Sequence, residues 1–376
     1  MKKIFALLLA TVMLLGLCAC GKKETSGGKN REIVFVQTRE SHYDADGICV
    51  GRYEYAYDEF AQLLKREYYE IQYTVVYDAV MDIYVATYDA DSPLELTATE
   101  LREYNQQGYC TLYEDQNMLF HGGQFTLEWD YKDGSPKSCA MMYGQLAGAD
   151  YYFSYDKAGN IESVYYNAGD AWRRDIVIFE YDKKDRLARE FTRTVDGSAT
   201  EKTYFYDGNK LSRIVLRTGF GMEELNSARW EEILAEKYTW EFTYGSKGRL
   251  VALTCYDDMG QKTQARKYTY DGNGYPSEMQ TTSYVNGEEY TEKTVYTCDS
   301  DGNIIKILNE DGSYVEYTYE AREVSKEQEI WFHRRQGMDY STAKYASVFF
   351  KVNWAVWYYN LIPNPLFDLP YLELFI

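Results

Sequence analysis

Two segments match the Ser-x-x-Lys pattern, in which a lysine could activate a serine nucleophile. They are residues 341–344, Ser-Thr-Ala-Lys, and residues 154–157, Ser-Tyr-Asp-Lys. Enzymes of this type also need Lys-Thr-Gly and Ser-x-Asn segments on a neighbouring sheet, and the chain contains no Lys-Thr-Gly. A two-residue match without its partner segments is weak. We therefore expect no catalysis from either serine.

The histidines and acids give no clear catalytic signature. His42, His121 and His333 lie far apart, and no His-Glu-x-x-His motif would place two imidazoles on one helix face. Paired carboxylates for glycoside hydrolysis stay an alternative, because the 59 acids supply many pairs whose separation in space the sequence does not give. We predict no catalytic residue, no metal and no cofactor.

Two acidic segments alternate oxygen ligands as calcium-binding loops do. They are residues 299–303, Asp-Ser-Asp-Gly-Asn, and residues 44–47, Asp-Ala-Asp-Gly. Neither has the downstream Glu of an EF-hand loop. Asp, Asn and Gly also favour tight turns, because short polar side chains bond the nearby backbone and Gly adopts positive φ. We predict turns at both segments.

These turns belong to a repeated phrase of seven positions: an aromatic, an Asp or Asn, a Gly four residues after the aromatic, and an aliphatic at the end. From residue 104 onward the copies follow one another by 25 to 28 residues, apart from one step of 38. A fixed period sets the architecture of the whole chain. The copies begin at Tyr43, Tyr57, Tyr104, Trp129, Tyr155, Tyr181, Tyr206, Tyr244, Tyr270 and Cys298.

The segments between the turns have the alternation of β-strands. Tyr238, Trp240 and Phe242 alternate with Thr and Glu residues, which gives one aromatic and one polar face. A second turn signal, such as the Asn-Gly pair at residues 286–287, lies midway through each unit. Each period therefore predicts two strands and two turns. The predicted fold is all-β, an antiparallel meander of β-hairpins.

The phrase resembles the YD repeat of the RHS (rearrangement hotspot) family. The resemblance covers residues 31–320, weakly over 31–150 and strongly over 151–320, and it implies a long antiparallel sheet that can close into a shell. Large members resemble a cocoon around a carboxy-terminal toxin, but their Asp-Pro-x-Gly motif is absent here, so we expect no toxin role. The residues to which we assign a structural turn role are Tyr155, Asp156, Gly159, Tyr181, Asp182, Tyr270, Asp271, Gly274, Asp299 and Gly302.

Some segments depart from the repeat or fit it imperfectly. Residues 219–236 account for the long step, and their apolar spacing predicts a short helix on a loop. Residues 58–69 fit an amphipathic helix as well as a repeat copy, and we favour the repeat. Five cysteines outside the amino-terminal segment include no Cys-x-x-Cys pair, so we interpret them as packing residues. They are Cys49, Cys110, Cys139, Cys255 and Cys298.

The amino-terminal segment predicts export and lipid anchoring. Residues 1–20 combine two lysines with a short apolar stretch that ends in Leu-Cys-Ala-Cys-Gly. This end resembles the signal of bacterial lipoproteins, which implies diacylation of Cys20. Residues 21–30 are rich in Lys, Ser and Gly and are typical of a flexible tether. We expect the protein on the outer face of the cytoplasmic membrane of a Gram-positive bacterium, attached to the lipid bilayer through Cys20.

Residues 321–376 have no repeat and are strongly aromatic. Residues 345–362 are nearly long enough to cross a membrane but contain Lys351 and Asn353. We predict that this segment caps the end of an open repeat sheet, with contact to a membrane or a partner as the alternative.

The charge and the repeat together suggest a function class. A net charge of −19 argues against nucleic acid as a partner, because phosphate backbones attract clustered Lys and Arg. The leading hypothesis is a non-enzymatic surface protein that binds a glycan or a protein. The alternatives are an enzyme that acts on cell-wall polysaccharide through paired carboxylates, and a shell or chaperone-like fragment for a partner polypeptide.

Overall fold

The fold is almost entirely β-strand, as the sequence predicts. The computed structural model describes residues 31–78, 83–106, 110–116, 125–132, 135–143, 146–158, 161–167, 173–184, 186–193, 198–220, 233–326 and 328. The strands are β1 (Arg31–Tyr43), β2 (Cys49–Tyr57), β3 (Leu63–Ile71), β4 (Thr74–Asp78), β5 (Ile83–Thr87), β6 (Leu94–Tyr104), β7 (Cys110–Asp115), β8 (Phe125–Lys132), β9 (Ser135–Tyr143), β10 (Leu146–Tyr155), β11 (Ile161–Asn167), β12 (Arg173–Tyr181), β13 (Leu187–Arg193), β14 (Ser198–Asp207), β15 (Lys210–Phe220), β16 (Ala235–Tyr244), β17 (Leu250–Asp257), β18 (Lys262–Tyr270), β19 (Pro276–Val285), β20 (Glu288–Cys298), β21 (Ile304–Asn309) and β22 (Tyr314–Ser325).

Twenty of these strands form one closed antiparallel sheet. Strands β1, β2, β3 and β6 pair in that order, and every later strand then pairs with the next one along the chain. The last strand, β22, pairs with β1 over its whole length, from Arg31 opposite Ser325 to Tyr43 opposite Tyr314. Each of the twenty strands therefore has two partners, and the predicted antiparallel meander is confirmed. Strands β4 and β5 form a separate two-stranded sheet.

The closed sheet has two different ends. Strand direction alternates, so successive turns lie at opposite ends. One end, which we call the tyrosine end, carries the turns that follow β2, β6, β8, β10, β12, β14, β16, β18 and β20, together with the start of β1 and the end of β22. The other end, the hairpin end, carries the remaining turns and the β4–β5 hairpin. The turn after Tyr43 also lies at the hairpin end, because Tyr43 pairs with Tyr314.

A break in register marks almost every predicted copy of the phrase. In nine of the ten copies, the shift falls directly before the leading residue, which then pairs with the last residue of its own phrase. A bulge of this kind re-aims the side chain and increases strand twist. The alignment of the tenth copy on Trp129 is wrong, because the shift lies between Asp130 and Tyr131.

The core lies on the face of the sheet that carries the leading tyrosines. One cluster of described residues spans β14 to β17 and includes Tyr204, Ile214, Trp240, Phe242 and Leu253. A smaller cluster covers the pairing of β1 with β22. Its members are Val34, Val36, Ala61 and Val324, and Tyr57 packs against them. The closing pair of strands is therefore held by buried side chains as well as by backbone hydrogen bonds.

The segments with alternative interpretations are resolved in part. Residues 58–62 form a turn and β3 follows, so the repeat copy at Tyr57 is confirmed over the helix. Residues 221–232, where the helical insertion is predicted, lie outside the described residues, as do Cys20, Gly159 and residues 329–376. Strand β22 continues to Ser325. Among the described residues, none of the helical segments is both long and apolar enough to cross a bilayer.

Candidate functional site

The Asp of each phrase is used by its own turn. At Asp182, Asp271 and Asp299, the backbone N–H donates to the carbonyl four residues on. The Asp271 carboxylate accepts hydrogen bonds from the N–H groups of Gly274 and Tyr275, at 2.7 and 2.8 Å. That of Asp299 accepts from the N–H groups of Asp301 and Asn303, both at 2.9 Å. Asp side chains are common in turns because they bond the backbone a few residues on.

These hydrogen bonds confirm that residues 299–303 and 44–47 form turns, which the sequence favours over calcium-binding loops. The second oxygen of Asp299 accepts a hydrogen bond from the Asn303 side chain at 2.9 Å. In residues 44–47, Asp44 bonds the N–H groups of Asp46 and Ile48. Within the described ranges, no three His, Cys, Asp or Glu side chains come together as a set of metal ligands.

The Gly of the phrase has a conformational role and a packing role. Gly274 and Gly302 have φ of 92° and 91°, a region that L side chains rarely occupy. A Cβ at Gly302 would overlap the Tyr275 ring, which belongs to the preceding turn. A Cβ at Gly274 would likewise overlap the guanidinium of Arg249, which also belongs to the preceding turn. Glycine therefore lets neighbouring turns at the tyrosine end approach each other closely.

The leading tyrosine bonds the preceding repeat. The hydroxyl of Tyr270 donates to the Leu250 carbonyl at 2.7 Å, and that of Tyr206 donates to the Leu187 carbonyl at 2.9 Å. Both acceptors are the last residue of the previous phrase. The bond from Tyr104 to the Leu63 carbonyl, at 2.9 Å, follows the same rule. We call this contact the inter-repeat hydrogen bond.

A basic side chain adds a second link between neighbouring repeats. The guanidinium of Arg186 lies 4.0 Å from the ring centre of Tyr206, and Arg249 lies 5.4 Å from that of Tyr270. Lys210 lies 5.0 Å from the ring of Tyr244. Each base comes from the turn before the tyrosine that it covers. Such cation–π contacts contribute about 0.5–1 kcal/mol at partly exposed sites.

Burial keeps these phenols neutral and hydrogen-bonding. It raises the pKa of Tyr206 and of Tyr244 to about 12, and it raises the pKa of Tyr155 and Tyr181 as well. A phenol with a raised pKa is a poor general base at neutral pH. The described turn residues make hydrogen bonds within their turns and with neighbouring turns, and they are spread along one end of the ring rather than gathered in a cleft.

Three of the cysteines occupy defined positions of the phrase. Cys49 pairs with Tyr43 and Cys110 with Tyr104, each as the last residue of the phrase. Cys298 replaces a leading aromatic, and its Sγ lies 3.6 Å from the Pro276 carbonyl oxygen, which is the acceptor position of the inter-repeat bond. Burial raises the pKa of Cys255, which keeps it in the unreactive thiol form.

A polar and aromatic cluster on β1, β2 and β3 is the strongest candidate for a binding site. We call it the Tyr53 platform and define it by Glu40, His42, Tyr53, Arg66 and Tyr68. Glu40, Tyr53 and Tyr68 are direct cross-strand partners. The rings of Tyr53 and Tyr68 stack with centres 4.5 Å apart, and the Arg66 guanidinium lies 5.4 Å from the Tyr53 ring centre.

The acid of the platform is held by three donors. Oε1 of Glu40 lies 2.8 Å from Nε2 of His42, and Oε2 accepts bonds from Tyr55 at 3.1 Å and from Gln37 at 3.0 Å. Burial alone would raise the pKa of Glu40, but these hydrogen bonds and the His42 charge lower it. The platform therefore keeps an ionised carboxylate beside an aromatic surface.

The other side of the platform carries an ion pair. Arg66 bonds the carboxylate of Glu100 on β6, its cross-strand partner. Gly51 makes room for Tyr68, because a Cβ at residue 51 would lie 3.0 Å from the Tyr68 hydroxyl. The arrangement offers ring faces for stacking, with hydrogen-bond acceptors and donors beside them. Half-buried sites of this composition suit ligands that have both apolar faces and polar groups.

The sequence gives only part of this cluster. The aromatic alternation of Tyr53 with Tyr55 and the spacing of Glu40 from His42 indicate shared faces on two strands. The sequence does not show that Tyr68 pairs with Tyr53. A further phrase, Tyr256 to Lys262, was missed because its last residue is not aliphatic, yet its leading residue has the same register shift.

Comparison with known proteins gives no family. No family model matches the chain, and no curated protein matches it. Among solved structures, it is similar to TcdB2-TccC3 without its hypervariable C-terminal region, at 12% identity over 75% of this chain, with a TM-score of 0.29. This chain spans about a fifth of that protein, 21% of its length.

Two porin-like proteins are also similar. The one from Bacteroides uniformis has 12% identity, covers 77% of this chain and 96% of its own, and gives a TM-score of 0.34. The one from Bacteroides vulgatus has 14% identity, covers 56% of this chain and 97% of its own, and gives a TM-score of 0.29. TM-scores this low support no conclusion about function, which must come from the residues of this chain.

Proposed function

We propose that the protein is a non-enzymatic binding module, anchored by lipid on the outer face of the bacterial cytoplasmic membrane, that binds a glycan or a protein partner. The stacked pair of Tyr53 and Tyr68, with Glu40 and Arg66 beside it, is the observation that carries the proposal. A closed sheet suits this role, because rigid strands hold binding side chains more accurately than loops do.

The proposed anchor would attach the module at one end of the ring. Acylated Cys20 would hold the tether of residues 21–30, which can extend about 35 Å and leads directly to Arg31. Arg31 lies opposite Ser325 at the tyrosine end. In this proposal the tether therefore joins the ring at the tyrosine end, opposite the hairpin end.

Capture experiments with the purified full-length chain test the proposal. Immobilised protein is mixed with cell-wall glycans and, separately, with secreted proteins from the same cells. We expect retention of a ligand that Tyr53→Ala and Tyr68→Ala each weaken about tenfold, the equivalent of ~1.4 kcal/mol. Tyr290→Ala is the matched control, since Tyr290 is 55% exposed on β20 and lies outside the platform.

The outcome is decisive in either direction. Retention that responds equally to all three substitutions would place binding elsewhere on the chain. Absence of any retained glycan or protein would contradict the proposed function itself.

A catalytic role is the second candidate, and the contact of Glu40 with His42 favours it. A carboxylate 2.8 Å from an imidazole can orient that ring and exchange a proton with it. Glu100 supplies a further carboxylate beside the same aromatic surface. If the protein cleaves cell-wall polysaccharide, Glu40→Gln abolishes release of reducing sugar while ligand capture persists. Equal release by both proteins would contradict this role.

A shell for a partner polypeptide is the third candidate, and closure through β1 and β22 favours it. Twenty strands at about 4.8 Å spacing give a circle roughly 30 Å across before strand tilt enlarges it. Protease protection of a co-expressed secreted polypeptide would support this candidate, and unchanged digestion would oppose it.

A further inference from the structure

The β4–β5 hairpin stands apart from the closed sheet. Its strands pair with each other in continuous register, from Thr74 opposite Thr87 to Asp78 opposite Ile83. Its base is fixed, because the Gln72 N–H donates to the Pro93 carbonyl and the Tyr88 hydroxyl donates to Asp44 at 2.7 Å. The hairpin is therefore attached to the first turn of the ring at the hairpin end.

Both faces of the hairpin are exposed. Val75 is 57% exposed and Val76 is 50% exposed, and Tyr73 beside them is 55% exposed. Consecutive residues of a strand point to opposite faces, so the described part of the ring covers neither face here. A two-stranded hairpin is marginally stable alone in water, and a further strand or surface would stabilise it.

The edges of the hairpin lack the usual protection. Within the described strands, β4 and β5 are the pair with one strand partner each, whereas every ring strand has two. Free edges are normally blunted by Lys, Pro or a bulge. Residues 74–87 contain no Lys and no Pro, and the hairpin register has no shift. Its backbone is open to pairing with another extended chain.

Electrostatic repulsion disfavours a second copy of this chain as the partner of the hairpin and favours a basic polypeptide. A second copy of this protein would bring like charges together, because the segment is acidic and the whole chain carries −19. A basic partner would not meet this repulsion. Residues 72–95 contain no Lys or Arg, and their acids are Asp78, Asp82, Asp89, Asp91 and Glu95.

From this combination we infer that the β4–β5 hairpin is a docking site for an extended polypeptide segment that alternates apolar with basic residues, which adds as a strand to one edge. The inference rests on the proposed binding role, since it gives that role a partner class and a second surface. The partner approaches from the hairpin end, away from the start of β1.

Binding of a synthetic peptide that alternates Val with Lys tests the inference. Fluorescence anisotropy with the full-length chain should show saturable binding of this peptide. A matching peptide with Glu in place of Lys should not bind. The double substitution Val75→Lys and Val76→Lys should abolish binding, and Asp91→Lys should weaken it without altering either strand. Val285→Lys is the matched control, since Val285 is 51% exposed at the end of ring strand β19.

Hydrogen exchange identifies the mode of binding. Strand addition slows exchange of amides in residues 74–78 or 83–87, whereas contact with the side chains alone leaves them unchanged and overturns the inference. Absence of peptide binding, or equal binding by the Val75→Lys/Val76→Lys and Val285→Lys proteins, also overturns it. Self-association that the double substitution removes would assign the edge to a second copy instead.

The two proposals fail separately. Tyr53→Ala should leave peptide binding intact, and the hairpin substitutions should leave any platform ligand bound. Peptide binding without capture of a glycan or secreted protein would therefore contradict the platform alone. Capture through Tyr53 without peptide binding would contradict the hairpin inference alone.

Discussion

The tyrosine end and the hairpin end belong to the same strands but are built differently. At the tyrosine end, one phrase recurs, and its turns contact their neighbours through the inter-repeat hydrogen bond and through bases that cover the next ring. At the hairpin end, the phrase occurs at Tyr43 and Tyr256, but the other turns differ in kind, from the two-residue turn at Asn286 and Gly287 to the β4–β5 hairpin. The repeated end specifies the register of the ring, and the varied end is therefore free to carry other structures.

The glycines in the turns also have different surroundings at the two ends. Gly248, Gly274 and Gly302 at the tyrosine end each face a side chain of the preceding turn, whereas Gly260 and Gly287 at the hairpin end face open space. All five have positive φ. Among these five glycines, the conformational demand is thus common to both ends, and close packing against a neighbouring turn is found at the tyrosine end.

The largest expected effect on stability comes from a Gly→Ala substitution, which we compare between one turn at the tyrosine end and one at the hairpin end. Gly302→Ala combines backbone strain with overlap on Tyr275, and we expect a loss of about 2–4 kcal/mol in the free energy of unfolding. Gly260→Ala introduces the same backbone strain without steric overlap and should reduce the free energy of unfolding by about 1 kcal/mol. Urea denaturation of both proteins measures the difference. Equal losses would show that neighbouring turns do not support each other.

A smaller effect follows from removing one hydroxyl. Tyr270→Phe leaves the Leu250 carbonyl without its donor and should cost about 1–2 kcal/mol. Tyr256→Phe, at the hairpin end, should change stability by less than ~0.5 kcal/mol. Thermal melts followed by circular dichroism test the pair. A full effect at Tyr256 would remove the distinction between the ends.

The covering bases should contribute less again. Arg249→Gln removes a charge that lies 5.4 Å from the Tyr270 ring centre, and we expect a loss of about 0.5–1 kcal/mol. Lys237→Gln is the control at the hairpin end, where the ammonium lies 5.6 Å from the neighbouring Tyr238 ring. Combined with Tyr270→Phe, Arg249→Gln should show less than additive loss, because both act on one ring. Strict additivity would indicate independent contacts.

Acid should affect both ends alike. At the tyrosine end, burial would raise the pKa of Asp182, but hydrogen bonds from Arg186 lower it. At the hairpin end, hydrogen bonds from Ser313 lower the pKa of Asp311. A carboxyl whose pKa is lower in the folded state stabilises fully above its unfolded value, near 3.9, and loses that contribution as pH falls through the folded value. The melting temperature should therefore begin to fall as the pH approaches about 3.9 and should fall further towards pH 3.

The matched variants sharpen this comparison. Asp182→Asn and Asp311→Asn should each reduce the acid dependence by a similar small amount, because both carboxylates lie near solvent and are screened. A clearly larger effect at Asp182 would mean that the turn acids also contribute to contacts between repeats.

The sequence predicts local features of this fold better than its closure. Tyr270, Asp271 and Gly274 lie within five positions, so turn chemistry alone identifies their conformation. The inter-repeat hydrogen bond was not predicted, because its acceptor lies twenty residues earlier at Leu250. Ala61 adopts φ of 58° where Gly is usual, so the position is recognisable by the phrase around it rather than by residue type.

Long-range pairing explains the remaining gaps. The pairing of Val34 with Arg322 closes the ring across nearly the whole described chain, and no local pattern encodes such a contact. The Tyr53 platform likewise joins side chains from three strands, and Glu100 reaches it from a fourth, after the β4–β5 hairpin. Alternation assigns each of these residues to a face, but only register makes them neighbours.

Closure of the sheet also limits how the gene can change in length. A closed sheet in which neighbouring strands all run in opposite directions needs an even number of strands, and the twenty present make ten two-strand units. Duplication or loss of one strand would force a parallel pair or leave a gap, whereas a whole unit would preserve every direction and return the last strand beside the first. Homologues that differ in copy number should therefore differ by whole units, and the diameter of the ring should change in steps.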